Sequence, residues 1–183
     1  LFDENITNNA FESVLHYEKK IIMKSKFVVV TDGDLYLKDP ISWMRESLYL
    51  ANIDEVFCCG ASLDVSNLPT ETFPEATSWI PELVSEYPYL EGRTGCHMLT
   101  FKSNDLMNFL RWQEREEKSF TDGELNRYCY GVAKKKWART RGTDAYHLTW
   151  DLYQNLDNEY TKLKTSKSFK DTWYHSRTSG FQR

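Results

Sequence analysis

An α/β domain is the fold class that the sequence predicts, and three observations predict it. Short apolar and β-branched runs alternate along the chain with segments of helical periodicity. At 183 residues the chain has the size of one compact domain, able to bury roughly 70% of its unfolded surface. Gly and Pro are scarce, at 8 and 5 residues, while apolar runs recur throughout, which excludes a disordered chain.

The elements follow in order. Phe11, Val14, Leu15, Ile21 and Ile22 recur at helical spacing behind the capping pair Asn9 and Glu12, which predicts a helix over 9–24. Phe27-Val28-Val29-Val30-Thr31 is apolar on both faces and suits a strand buried inside an α/β sheet. It stops at Asp32-Gly33-Asp34, and Leu35-Tyr36-Leu37 resumes an extended pattern. Asp39-Pro40 starts a helix over 41–51 that carries Ile41, Met44, Leu48 and Tyr49. Glu55 to Cys59 reads as a second buried strand, 60–78 as loop, and 81–86 as a short helix. Cys96 to Phe101 reads as a strand, followed by a helix over 103–115 with Leu106, Phe109 and Leu110 inward. Thr121-Asp122 opens a helix to 135, a strand or loop covers 137–148, and a further helix spans 150–163. One domain over 1–165 and a polar tail over 166–183 complete the reading.

Composition narrows the function. With 23 Lys+Arg against 27 Asp+Glu the net charge is −4, which argues against a nucleic-acid partner. No apolar stretch approaches the roughly 20 residues of a membrane span, and no signal-peptide pattern opens the chain. Cys58, Cys59, Cys96 and Cys129 lack zinc-site spacing. The adjacent pair inside an apolar run predicts buried thiols in a reducing compartment, hence a cytoplasmic protein. The first residue is Leu1, not Met, as expected for a piece of a longer protein. The 6 Trp, 11 Tyr and 10 Phe exceed what a core of this size needs.

Asp32 and Asp34 carry the strongest chemical signal. An apolar strand that ends in two aspartates places acids at its carboxyl edge, where open α/β sheets bind ligands. Paired carboxylates repel unless a cation joins them, and oxygen donors favour Mg²⁺ or Mn²⁺. A solvated Asp-Gly turn is the simpler alternative. In Thr121-Asp122-Gly123-Glu124-Leu125 the acids complement a helix start, and Asp122 is also placed to act as a general base. His147 precedes a helix between Tyr146 and Trp150, so aromatic packing competes with a ligand role. His97 alternates with strand residues and reads as structural, and His16 as a surface residue. Lys134 to Lys136, with Arg139 and Arg141, form a basic patch that reads as a solvated face or a partner for phosphates.

Taken in order over 26–152, these pieces resemble the GT-A-fold glycosyltransferases, particularly the family-2-like group that uses nucleotide-sugar donors. Asp32-Gly33-Asp34 resembles that family's DxD motif, which binds a divalent metal holding the donor's diphosphate. Gly95-Cys96-His97-Met98-Leu99-Thr100-Phe101 is similar to the small-residue strand lining its sugar and acceptor pocket. Thr121-Asp122-Gly123-Glu124-Leu125 resembles the helix start that holds the catalytic base, which puts Asp122 at the base position. His147 resembles a late histidine that some members use near the metal and diphosphate.

The resemblance implies a GT-A-like, Rossmann-related mixed sheet flanked by helices. It implies sugar transfer with inversion from a nucleotide-sugar donor, UDP-linked in the expected case, to a glycan acceptor. The cofactor is Mn²⁺ or Mg²⁺, held by Asp32, Asp34 and His147 with Gly33 at the turn; Asp122 is the base; Gly95, His97 and Trp150 line the acceptor or sugar pocket. One departure stands. The family's nucleotide-binding strands precede DxD, and residues 1–31 have room for one helix and one strand. Either the front of the domain lies outside this sequence, or the nucleotide site is built differently.

Two other classes are open. A haloacid-dehalogenase-like phosphatase also ends a strand in two aspartates, but Leu35-Tyr36 stand where that pattern has Gly-Thr. A non-catalytic carbohydrate-binding domain fits the aromatic content, yet such modules are mostly β-sandwiches, against the α/β alternation here.

Overall fold

In the computed structural model, the β-branched run after Lys26 forms strand β1 (Phe27–Thr31), and the aspartate turn leads directly into β2 (Leu35–Leu37). The structure describes residues 19–79, 84–85, 88–92, 97–142 and 145–166. Ahead of β1, α1 (Lys19–Lys24) is the described part of the first expected helix; residues 9–18 of that helix lie outside the described residues. Helix α2 (Pro40–Ala51) starts where Asp39 accepts a hydrogen bond from the Ser42 amide, with Pro40 in the first turn. β3 (Val56–Gly60) follows, buried at every position as expected for a central strand.

β4 (Leu63–Asp64) and a 3₁₀ helix (Pro74–Trp79) interrupt the segment expected to be loop. The short helix expected over 81–86 is corrected where it is described: Val84–Ser85 is strand β5, paired with β6 (Leu90–Glu91). β7 (Met98–Lys102) leads into α3 (Ser103–Glu116), whose Leu106, Phe109 and Leu110 are buried as its periodicity predicts. The helix expected from 121 to 135 is shorter. α4 (Asp122–Asn126) widens into a π-helical stretch (Arg127–Val132), and Lys134, at φ 54°, turns the chain away.

β8 (Lys136–Arg139) and β9 (Ala145–His147) split the region expected as one strand or loop. The single helix expected over 150–163 is two, α5 (Leu148–Tyr153) and α6 (Glu159–Thr165). Asn155 adopts φ 54°, and Asn158 caps α6 through a reciprocal bond pair with Thr161, so local polar chemistry overrides the continuing periodicity.

The fold is mixed α/β, with mixed sheets flanked by helices. One sheet runs β1-β7-β3-β8-β6-β5 and the other β2-β9-β4. β1 and β3 are both antiparallel to β7, and β8 is parallel to β3. The carboxyl ends of β1, β3 and β8 therefore share one edge with the start of β7. The sequence placed β1 inside a sheet; among the described residues it pairs only with β7, at one end of the order, with Val30 buried and Phe27 to Val29 half-buried.

α3 packs on β1 and β7, while α2 packs on β3, β7 and β8. Beside α3, Phe57, Phe101, Phe109, Phe120, Trp112 and Tyr128 form an aromatic core; Phe57 meets Phe101 edge-on at 5.6 Å and Phe109 at 6.4 Å. Trp137 is buried in the same core, with Tyr130 packed against it. A register shift between Val56 and Cys58 lets Phe57 and Cys58 join the same core, while Cys59 joins the cluster of Leu50, Ala51 and Tyr89. The face that α2 buries is Trp43, Ser47, Leu50 and Ala51; Ile41 and Tyr49 point outward. No helix among the described residues is long and apolar enough to cross a membrane.

Phe57 is completely buried, so Phe57→Ala should lower the unfolding free energy in urea by about 3–5 kcal/mol. Tyr49→Ala, on the exposed face of α2, should change it by less than about 0.5 kcal/mol; similar losses would place the core elsewhere. Burial, with the charges of Glu91 and Asp105, pushes the Cys129 thiol up to about 12. Alkylation of Cys129 at pH 8, followed by mass spectrometry, should therefore require unfolding; rapid labelling of native protein would contradict its burial.

Candidate metal centre

The turn from β1 to β2 joins the two sheets, and its two aspartates are each held by a different strand. On the β1 side, Thr31 faces Met98, and the Asp32 amide donates to the His97 carbonyl at 2.8 Å. That extra rung of the ladder puts the two side chains next to each other, with Asp32 Oδ2 2.9 Å from His97 Nδ1. On the β2 side, Leu35 faces His147, and the Leu148 amide donates to the Asp34 carbonyl at 2.9 Å. Asp34 Oδ2 then lies 3.7 Å from His147 Nδ1 and accepts a hydrogen bond from the Thr149 hydroxyl. Thr149 also meets the Tyr160 hydroxyl on α6 at 3.1 Å.

The histidine rings meet edge to face with centroids 4.7 Å apart. Trp150 stacks parallel behind His147 at 4.9 Å and is itself buried, which places its indole as a backing for the imidazole. Trp43, Ala61, Met98 and Ala145 fill the space where the two sheets meet, with Val29, Leu35, Leu37 and Leu63 against them. The site is thus seated on an apolar floor.

Asp32, His97 and His147 each offer one ligand atom, and these atoms lie within 4.8 Å of one another. The residues fit a divalent cation. His147 Nδ1 is buried and has no hydrogen-bond partner, and leaving such a nitrogen unsatisfied costs about 1–3 kcal/mol. A metal would take that lone pair. Two imidazoles beside carboxylates favour Mn²⁺ and later divalent ions over Mg²⁺, which prefers an all-oxygen shell.

Charge at the site separates the two histidines. Burial works against the His97 imidazolium, but the hydrogen bond and charge of Asp32, with the charges of Asp122 and Asp34, outweigh it and raise its pKa. Burial and repulsion by His97 lower that of His147, against the pull of Asp34 and Asp32. Asp122, half-buried in the first turn of α4, is therefore within electrostatic reach of His97. Thr121 caps that turn by accepting from the Glu124 amide.

The expected site residues thus assemble in part. Asp32, Asp34, His147 and Trp150 lie together, and Asp122 faces the same group electrostatically. Gly33 is exposed at the turn, where an added Cβ would meet nothing within 4 Å, so the space beside its backbone is open. Gly95 lies outside the described residues. The converging group is not the same as the ligand set that the resemblance implies. His97, read from its alternation as structural, joins Asp32 and His147 in the converging group, while Asp34 lies beside His147 and is bonded to Thr149. The only signal that would have found His97 is knowledge that β7 runs antiparallel to β1 and starts where β1 ends.

The chain resembles three proteins of Acanthamoeba polyphaga mimivirus. It is 38% identical over 185 residues to uncharacterized protein L142, a match covering 99% of this chain and 37% of that protein. It is 38% identical over 186 residues to uncharacterized protein L137, and 31% identical over 186 residues to uncharacterized protein L138, covering 25% and 21% of those proteins. The chain therefore spans well under half of the length of these relatives. No family model and no solved structure matches it.

Removal of one ligand should be visible in solution. By calorimetry, His97→Ala should weaken Mn²⁺ binding at least about tenfold, and Mg²⁺ should bind wild type more weakly than Mn²⁺. Unchanged Mn²⁺ affinity in His97→Ala would remove His97 from the ligand set.

Proposed function

We propose that this domain is a metal-dependent glycosyltransferase, which moves a sugar from a nucleotide-diphosphate donor to an acceptor sugar hydroxyl with inversion. One observation carries the reading: Asp32, at the carboxyl edge of a strand, converges with His97 and His147, with Asp34 beside His147 and the charge of Asp122, at a helix start, acting on His97. A solvated turn needs neither histidine. The ordered likeness of Asp32-Gly33-Asp34, Thr121-Asp122-Gly123-Glu124-Leu125 and His147 to the GT-A motifs adds the reaction class.

Asp32, His97 and His147 would hold the cation, with Asp34 beside them. The bound cation, Mn²⁺ in preference to Mg²⁺, would offset the negative charge that gathers on the departing diphosphate. The chain's own residues do the rest. Thr149 fixes the Asp34 carboxylate. Trp150 backs His147 and keeps its imidazole in one plane. The open space above Gly33 admits the donor's phosphates close to the backbone. Asp122 removes the proton from the acceptor hydroxyl as the oxygen attacks the anomeric carbon. A single in-line displacement inverts that carbon and requires no covalent intermediate.

Screening nucleotide sugars with Mn²⁺ for transfer and slow hydrolysis tests the reading directly. With the donor so identified, Asp122→Asn should reduce transfer about 10²–10⁴-fold while metal-dependent nucleotide binding stays near the wild-type level. Asp34→Ala should lose both activity and the metal response. A wild type that binds no nucleoside diphosphate in the presence of Mn²⁺ would overturn the assignment, and hydrolysis of a generic phosphoester would point to a phosphatase.

A further inference from the structure

Behind the metal centre lies a second polar group that none of the chemistry above uses. Asp151, on α5, is a buried carboxylate at 2% exposure, and no cation among the described residues pairs with it. Three neutral donors satisfy it instead. Its Oδ1 accepts from Asn67 Nδ2 at 2.7 Å and from the Tyr146 hydroxyl at 2.6 Å, and its Oδ2 accepts from Asn158 Nδ2 at 2.6 Å. Burial, with the Asp151 charge, pushes the Tyr146 phenol up to about 12, so it remains a donor. Asn67 is equally buried, and its Nδ2 is shared: it also donates to the His147 backbone carbonyl at 2.9 Å. The Asn67 amide thus spans the gap between a buried charge and the backbone of a metal-site histidine.

A buried ionised group is costly to keep, and one that collects three donors from three segments is retained for what it orders. Here it fixes which way the Asn67 amide faces. A carboxylate can only accept, so Asn67 must present Nδ2 to it, and the same nitrogen then reaches His147. The other contacts on this segment pull from the opposite side: the Leu148 amide and the Thr149 hydroxyl both go to Asp34. His147 is held between the two.

We propose that Asp151, acting through Asn67, is a positioning residue that sets the backbone of His147 and with it the imidazole at the metal centre. The inference rests on the metal reading of Asp32, His97 and His147. An exchange of partners tests it. In the double variant Asn67→Asp with Asp151→Asn, donor and acceptor trade places, so the buried pair is remade and one negative charge is kept. The hydrogen bond to the His147 carbonyl is lost, and the amide nitrogen now at position 151 no longer accepts from the Tyr146 hydroxyl. Two measurements are made on wild type and variant: Mn²⁺ affinity by calorimetry, and the His147 imidazole resonances by NMR in metal-free protein.

The exchange should weaken Mn²⁺ binding about 10–100-fold and shift the His147 resonances. A merely structural pair would give a variant with wild-type affinity and unshifted His147 resonances, and that result overturns the proposal. If the double variant fails to fold, Asn67→Ala and Tyr146→Phe replace it. Both loosen the buried group, but only the first removes the donor to His147. Weakened Mn²⁺ binding in Asn67→Ala alone supports the proposal, and equal effects of the two overturn it. If wild type binds no Mn²⁺, the metal reading fails, and a His147 shift on exchange still separates the positioning role from it.

Discussion

The described structure depends on three residues that belong to two sheets at once. Asp32 ends the β1 ladder against His97, and Asp34 begins the β2 ladder against Leu148, so Asp32-Gly33-Asp34 is the seam between the six-stranded and three-stranded sheets. Each aspartate has its backbone fixed by a strand pairing before its side chain does anything. Each carboxylate is therefore brought beside a different histidine by backbone hydrogen bonds of the two ladders. The histidines arrive by the same route, His97 as the residue before β7 and His147 as the last residue of β9. The electrostatics of the cleft follow from this seam: Asp32 beside His97 raises that pKa against the cost of burial, while burial and the neighbouring His97 lower that of His147 against the pull of the acids.

What the sequence disclosed, it disclosed through local chemistry. The aspartate turn, the Asp39-Pro40 helix start, the fully buried β3 and the inner face of α3 are each specified by residues within a few positions of one another, and each is present. The errors have equally local causes. Continuing apolar periodicity past Tyr153 hid the break at Asn155 and Asn158, where capping geometry prevails. The apolar run of β1 suggested burial on both sides, yet edge or centre is decided by which strands pair with it. His97 shows the limit most clearly. Its neighbours in sequence say nothing of Asp32, 65 residues away, which gives it a role. Trp150 is a similar case, since only the tertiary fold decides whether an indole faces a sugar or backs an imidazole.

Polar groups around the cleft are arranged in layers. The innermost set offers lone pairs to a cation. Around it, Thr149 orients Asp34, and Asn67 orients the His147 carbonyl. Outside that, Tyr160, Tyr146, Asp151 and Asn158 hold the orienting groups. These outer residues come mainly from β9, α5 and α6, where the backbone breaks at Asn155 and is capped again at Asn158. Irregularity is physically apt there, because Asn, Asp and Thr compete with the regular backbone ladders for hydrogen bonds and fix turns instead.

The separations along the chain also set an order of events in folding. The hydrogen bonds that build the cleft join residues 65, 80 and 115 positions apart. Closing loops of that length costs entropy that is recovered only when whole strands pair. The helices and the aromatic core beside α3 can form early from nearer neighbours, whereas the cleft exists only once β7 and β9 have returned to β1 and β2. No short fragment of this chain contains the cleft, and a nascent chain acquires it only after His147 has been synthesised. Asp32 thus waits, during synthesis, for a partner encoded 65 residues downstream, and Asp34 for one 115 residues downstream.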